Sequence, residues 1–451
     1  MLHRLGLLVL LCLGFSEGAH LSGWGPANVT NFSGYEAVHN GSHHLFYWFF
    51  ESQRDPSSDP FILWMTGGPG CSGLLALFQE NGPYQVQEDL SLALNPYTWN
   101  TNASVMWVDQ PVGSGFSYDN IPVPIGGIIN EKQMAQDMYD MLQSFFQQYP
   151  KYAELPFFIF GESYAGHYVP ALSAKIVVEN MNSSNPRINL EGSAIGNGLV
   201  DPSLQYPHYA PFAYEHNVVS KAEYELMMAM LPVCETLQIP CQYLENGTDP
   251  VKLAEAWTAC LNAYTLCNLA EIEPVSLSGY NPYDVRMKCD PRLPLCYNFT
   301  LVTDYLNLPA VQAGLGVHRP WADCNRMVDL KMVFAGDWML NYAQDVALLL
   351  ENDVRVLVYA GEYDFICNWE GNFAWTMGLE WDGQAQYQKA PNNTWSVGNT
   401  PAGTVKSVSP AGLGSFTFIR VFDAGHMVPM NQPVNALDMV RRFLNDLPFT
   451  S

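Results

Sequence analysis

Ser163, Asp364 and His426 have the residue types and the setting for nucleophilic acyl transfer. Ser163 lies in Gly161-Glu162-Ser163-Tyr164-Ala165-Gly166, after the apolar run 157–160 and before a helical pattern over 168–178. A serine on a sharp strand-to-helix turn has its hydroxyl forced outward, and small residues two positions to either side keep that turn free of clashes. Here these are Gly161 and Ala165. Taken alone, the match also describes an ordinary strand-to-helix turn. Its partners add weight. Asp364 follows the run 354–359 in Gly361-Glu362-Tyr363-Asp364, and His426 follows the run 416–422 in Asp423-Ala424-Gly425-His426. Serine is too weak an acid to attack a carbonyl unaided, imidazole is a base that titrates near working pH, and a buried carboxylate fixes the imidazole tautomer.

The order Ser, Asp, His, each beyond a strand's C-terminal end, is that of an α/β-hydrolase triad. On spacing alone Glu362 and Asp337, which also follow glycines at expected strand ends, compete with Asp364. A histidine such as His426 also suits a satisfied turn. Thr66-Gly67-Gly68-Pro69-Gly70-Cys71 closes an early strand. Side-chain-free residues there let a backbone N–H, that of Gly68, reach an oxyanion beside the N–H of Tyr164.

These residues need a frame. Runs 61–65, 157–160 and 354–359 are short, apolar and closed by glycine, as strands of a sheet covered on both faces must be. Between them, Met134, Met138, Met141, Leu142, Phe145 and Phe146 recur at helical spacing over 131–149, where Pro150 stops the run. Pro433 opens a last helix with Val434, Leu437, Val440, Phe443 and Leu444 on one stripe. The alternation predicts an α/β fold with a mostly parallel central sheet. Residues 202–330 break the rhythm with clustered cysteines, frequent prolines and a helix starting at Ser220, with Glu223 as capping-box partner. The expected organisation is a signal peptide over 1–18, core over 19–201, a cap insertion over 202–330 and core again over 331–451.

Arg4, an apolar run over 5–15 and the small residues that follow describe a secretory signal cut after Gly18. The run is far shorter than the ~20 residues that span a bilayer, so no membrane attachment is expected after cleavage. N-glycan sequons occur at Asn28, Asn31, Asn40, Asn102, Asn182, Asn246, Asn298 and Asn392. Removing Cys12 with the signal leaves nine of the ten cysteines, an odd number that implies a free thiol or an intermolecular bridge. The six between Cys234 and Cys296 lack Cys-x-x-Cys spacing and interleaved histidines, which favours disulfides over zinc. No metal or cofactor is expected. With 20 Lys plus Arg against 44 Asp plus Glu, the net charge is −24. That repels phosphate backbones and anionic lipid surfaces, which argues against nucleic-acid and membrane-surface roles.

The chain resembles the serine carboxypeptidases over nearly all its mature length. The resemblance rests on Gly67-Gly68-Pro69-Gly70-Cys71-Ser72, Asp109-Gln110-Pro111-Val112-Gly113 and Gly161-Glu162-Ser163-Tyr164-Ala165-Gly166. It continues through Phe334-Ala335-Gly336-Asp337-Trp338, Asp364-Phe365-Ile366-Cys367-Asn368 and Gly425-His426-Met427-Val428-Pro429. It implies an α/β-hydrolase fold with a disulfide-stapled cap, selects Asp364 over its rivals, and implies peptide or protein C-termini as substrates. It implies that Thr66, Gly67, Glu80 and Glu162 hold the substrate carboxylate, with Thr66 replacing the family's asparagine, and that Trp338, Cys367 and Met427 line side-chain pockets. It implies the pairs Cys71–Cys324, Cys234–Cys267, Cys241–Cys260 and Cys289–Cys296, leaving Cys367 free. Two adjacent glutamates beside a substrate carboxylate cannot all be ionised, so acidic pH is expected to favour the reaction. An acyltransferase and a secreted binding protein with a vestigial site are the competing functions. A vacuolar or lysosomal destination and an extracellular one both remain, as do a monomer and a homodimer.

Overall fold

The computed structural model describes residues 19–20, 29–120, 130–293 and 295–450. The signal segment 1–18 with Cys12, and Asn28, lie outside the described residues. The first six strands of the central sheet are β1 (Ala19–His20), β2 (Asn31–Val38), β3 (His43–Phe50), β4 (Phe61–Thr66), β5 (Ser104–Val108) and β6 (Tyr118–Asp119). The others are β7 (Phe157–Glu162), β8 (Leu190–Gly196), β9 (Arg355–Gly361), β10 (Asn393–Val397), β11 (Thr400–Val408) and β12 (Phe416–Val421). Their order is β1-β2-β3-β5-β4-β7-β8-β9-β12-β11-β10, with β6 beside β3. The run β5-β4-β7-β8-β9-β12 is parallel throughout, and antiparallel strands extend both of its ends.

The parallel strands are apolar on both faces because both are covered. Phe61, Leu63 and Met65 of β4 and Phe157 and Ile159 of β7 enter one core, whereas Ile62, Trp64, Phe158 and Phe160 enter the other. The first core holds the buried stripes of α2 (Glu131–Gln148) and α3 (Ala165–Asn182); the second holds α1 (Gly73–Gln79) and the final helix Pro433–Leu444. Burying each large apolar side chain contributes roughly 1.5–3 kcal/mol. All six apolar residues expected on the α2 stripe are buried. On the last helix Val440, Phe443 and Leu444 are buried, but Val434, in its first turn, faces solvent.

Between β8 and β9 the chain leaves the sheet. The helix α4 (Lys221–Cys241) starts with the expected capping box, Ser220 N–H donating to Glu223 Oε2 at 2.7 Å and Glu223 N–H to Ser220 Oγ at 3.3 Å. It pairs with α5 (Pro250–Cys267), and nested disulfides Cys234–Cys267 and Cys241–Cys260 staple the two. Cys289–Cys296 closes a local loop, Cys71–Cys324 ties the glycine-rich loop after β4 to this region, and Cys367 is free and buried. Residue 330, the expected end of the insertion, falls inside α6 (Arg326–Phe334).

Of the sequons, Asn40, Asn182, Asn246, Asn298 and Asn392 are exposed and Asn102 is half-buried. Asn31 is 3% exposed within β2, and its side chain accepts from the Trp48 indole at 3.4 Å. Among the described residues no helix is long and apolar enough to cross a membrane.

Candidate active site

Ser163 stands between β7 and α3 with φ at 69°, a left-handed conformation that is strained for any residue bearing a Cβ. Its amide donates to Gly196 O at 3.0 Å, and its carbonyl accepts from Gly166 N at 2.9 Å and Leu199 N at 3.1 Å. The helix starts at Ala165, three residues earlier than the spacing suggested, so only Ser163 and Tyr164 separate it from β7. Gly67 abuts it: a Cβ at 67 would lie 2.4 Å from Tyr164 N and 2.9 Å from Ser163 Cβ, so no other residue fits. Among the described residues, the amides of Gly68 and Tyr164 donate to no protein acceptor.

Asp364 lies three residues beyond β9 and is fully buried. Its Oδ2 accepts from His426 Nδ1 at 2.9 Å, Asn197 Nδ2 at 2.8 Å and the Cys367 amide at 3.2 Å. A carboxylate can only accept here, so the imidazole proton sits on Nδ1 and Nε2 is the basic nitrogen. The His426 amide donates to Tyr283 O at 2.7 Å, and the Tyr283 ring stands edge-on to the imidazole at 5.2 Å. The rivals for the acid are otherwise engaged. Glu362 forms an ion pair with Arg420. Asp337 follows the helix α6 rather than a strand, and its carboxylate meets a different histidine, His167.

Ser163 and His426 open onto one cavity of about 430 Å³, lined also by Thr66, Gly67, Gly68, Glu80 and Glu162. Glu80 is the C-cap of α1. Both glutamates are buried, and Oε2 of each has no hydrogen-bond partner. Burial pushes the Glu80 carboxyl up to about 7, against the opposing pull of its hydrogen bond to Glu162 and the charge of His426. Burial, then repulsion from Glu80, raises Glu162 well above the usual carboxylate range. The pair therefore holds a proton at acidic and neutral pH. Thr66 Oγ1 accepts from the Trp64 indole at 2.9 Å, which turns the hydroxyl proton of Thr66 toward other acceptors.

Met427 lines the cavity, whereas Trp338 and Cys367 lie outside its lining. Trp338 packs at a tilt against Tyr164, ring centroids 5.2 Å apart, and donates to the Tyr206 hydroxyl at 3.1 Å. Cys367 is buried behind Asp364, and burial raises its thiol pKa. Instead Tyr283, Leu295, Tyr297 and Phe299, from the segment around Cys289–Cys296, form an apolar wall. No spacing in the sequence marks them. Asn197, which braces Asp364, was also missed; Gly196-Asn197-Gly198 at the end of β8 was its only signal.

The serine carboxypeptidase family model matches residues 23–446. The chain is 43% identical over 427 residues to carboxypeptidase Y of Candida albicans, covering 93% of this chain and 74% of that protein. It is 41% identical over 425 residues to carboxypeptidase Y homolog A of Trichophyton equinum, with the same coverage. The crystal structure of a prohormone-processing carboxypeptidase from Saccharomyces cerevisiae superposes with a TM-score of 0.79 at 23% identity, covering 92% of this chain and 91% of that one. With its α/β-hydrolase fold, this chain belongs to the serine carboxypeptidase family.

Proposed function

We propose that this chain releases residues one at a time from the C-termini of peptides and proteins through an acyl-enzyme on Ser163. Ser163 Oγ attacks the last peptide carbonyl while His426 Nε2 takes its proton, and Asp364 stabilises the imidazolium. The amides of Gly68 and Tyr164 receive the oxyanion. The C–N bond then breaks, the amine leaves with the proton from His426, and water repeats the sequence to free the acid. The observation that carries this reading is the buried Glu80–Glu162 pair, with unpartnered oxygens, in the same cavity as Ser163 and His426. A protonated carboxyl donates to a substrate carboxylate, as do Thr66 and the Gly67 backbone.

An N-blocked dipeptide assayed against its C-terminal amide tests the proposal. The free acid is expected to be cleaved at least about tenfold faster in kcat/KM, the worth of one charge-assisted hydrogen bond. Equal rates would remove the carboxylate site from the account. Acyl transfer from an acyl-glucose donor to an alcohol, with no peptide cleaved, would identify an acyltransferase. A chain that turns over neither substrate would be a binding protein. The leader-like segment, the exposed sequons and the disulfides support the secretory pathway, with a vacuolar, lysosomal or extracellular destination.

Two expectations concern the carboxylate site. As pH rises through about 7, Glu80 loses its proton and the pair gains a negative charge facing the substrate carboxylate. KM should therefore rise about tenfold between pH 6 and pH 8. In Glu80→Gln, an amide donates at every pH and that rise should flatten; an unchanged KM–pH profile in the variant contradicts the assignment of the titration to Glu80. Thr66→Val removes a donor to a charged group, so KM should rise about tenfold with kcat nearly constant. Thr66→Ser should restore KM, and an unaltered KM in Thr66→Val would place the hydroxyl outside the site.

A further inference from the structure

Behind the nucleophile turn lies a buried cluster that the acyl-transfer steps do not use. Asp337 is its centre. Its Oδ2 accepts from the Tyr164 hydroxyl at 2.8 Å and faces His167 Nδ1 at 3.4 Å. Its Oδ1 accepts from the Tyr342 hydroxyl at 3.0 Å and from the Glu131 backbone N–H at 3.3 Å. One carboxylate thus gathers the nucleophile turn, α3, the first residue of α2 and the segment after α6. Burial alone would raise its pKa, but His167, Tyr164 and Tyr342 outweigh burial and hold it below the usual range. Glu131, buried beside Asp337, is pushed well above its usual range by burial and then by the charge and hydrogen bond of Asp337. The negative charge of the cluster therefore rests on Asp337.

Tyr164 carries one of the two amides aimed at the oxyanion. Its ring is wedged against His167 at 4.6 Å, Trp338 at 5.2 Å and Tyr168 at 5.4 Å, and its hydroxyl is the one polar anchor of the side chain. We propose that Asp337 is a positioning residue for the oxyanion hole, fixing the direction of the Tyr164 amide through the Tyr164 hydroxyl. This rests on the acyl-transfer reading above. A donor aimed at charge that exists only in the tetrahedral intermediate affects kcat and leaves substrate binding alone. Small errors in such an alignment are costly, a 1 Å displacement being worth about 10²-fold.

The test uses Tyr164→Phe and Asp337→Asn, singly and together, with kcat expressed per active site titrated by a fluorophosphonate. Each single variant should lose about tenfold or more in kcat, with KM within about twofold of wild type. Affinity for a peptidyl aldehyde, which forms a tetrahedral adduct, should fall by the same factor as kcat. The double variant should be no slower than the slower single one, because both changes break one link. Tyr164→Phe removes a single oxygen atom, so it remains informative should Asp337→Asn fail to fold. An unchanged kcat per titrated site in Tyr164→Phe, in a preparation whose wild type cleaves peptides, overturns the positioning role and spares the acyl-transfer reading. A wild type that neither cleaves nor titrates overturns both.

Discussion

Asp364→Asn is expected to lower kcat about 10⁴-fold at neutral pH, with the fold intact and KM little altered. The wild-type carboxylate accepts three hydrogen bonds on Oδ2, from His426, Asn197 and Cys367, in a fully buried setting. An amide of the same shape keeps the packing but carries no charge, so the imidazolium formed during attack loses its counter-ion where water cannot replace it. An amide NH2 turned toward the ring would also reverse the imidazole tautomer and leave Nε2 protonated. Steady-state kinetics per folded molecule, with a thermal melt to confirm folding, measure the effect. A loss of less than about tenfold would mean that Asp364 is not the group orienting the base.

Ser163→Ala should cost more, on the order of 10⁶-fold in kcat, because the acyl-enzyme cannot form. Peptide binding should survive, since Thr66, Gly67, Glu80 and Glu162 are untouched. Alanine adopts the 69° φ no more easily than serine, so the backbone strain persists and the melting temperature should hardly move. Binding by calorimetry and cleavage by product chromatography separate the two effects. Residual turnover near wild type, after excluding contaminating enzyme, would point to another nucleophile.

Much of this site was legible from local pattern. The strand–Gly-Glu-Ser–helix sequence encodes the elbow because a fully apolar strand ended by small residues has few other ways to turn. Asp364 was harder. Asp337, Glu362 and Asp364 all follow a glycine closely, and only tertiary contacts show one meeting His167, one Arg420 and one His426. The family resemblance resolved that choice; spacing did not. The expectation of a strand before Asp337 failed because 326–334 is apolar enough to read as either element. The pocket wall was least accessible. Tyr283, Tyr297 and Phe299 line the cavity from the segment that flanks the Cys289–Cys296 bridge, a long-range approach with no periodic signature. Trp338, read as a pocket residue, instead buttresses Tyr164.

The most direct test of the account is labelling of the intact protein with a serine-directed fluorophosphonate, followed by peptide mapping in a mass spectrometer. One adduct per molecule on Ser163 is expected, forming far more slowly in His426→Ala. A different labelled serine, or no adduct in protein that cleaves C-terminal residues, would contradict the nucleophile assignment on which the mechanism stands.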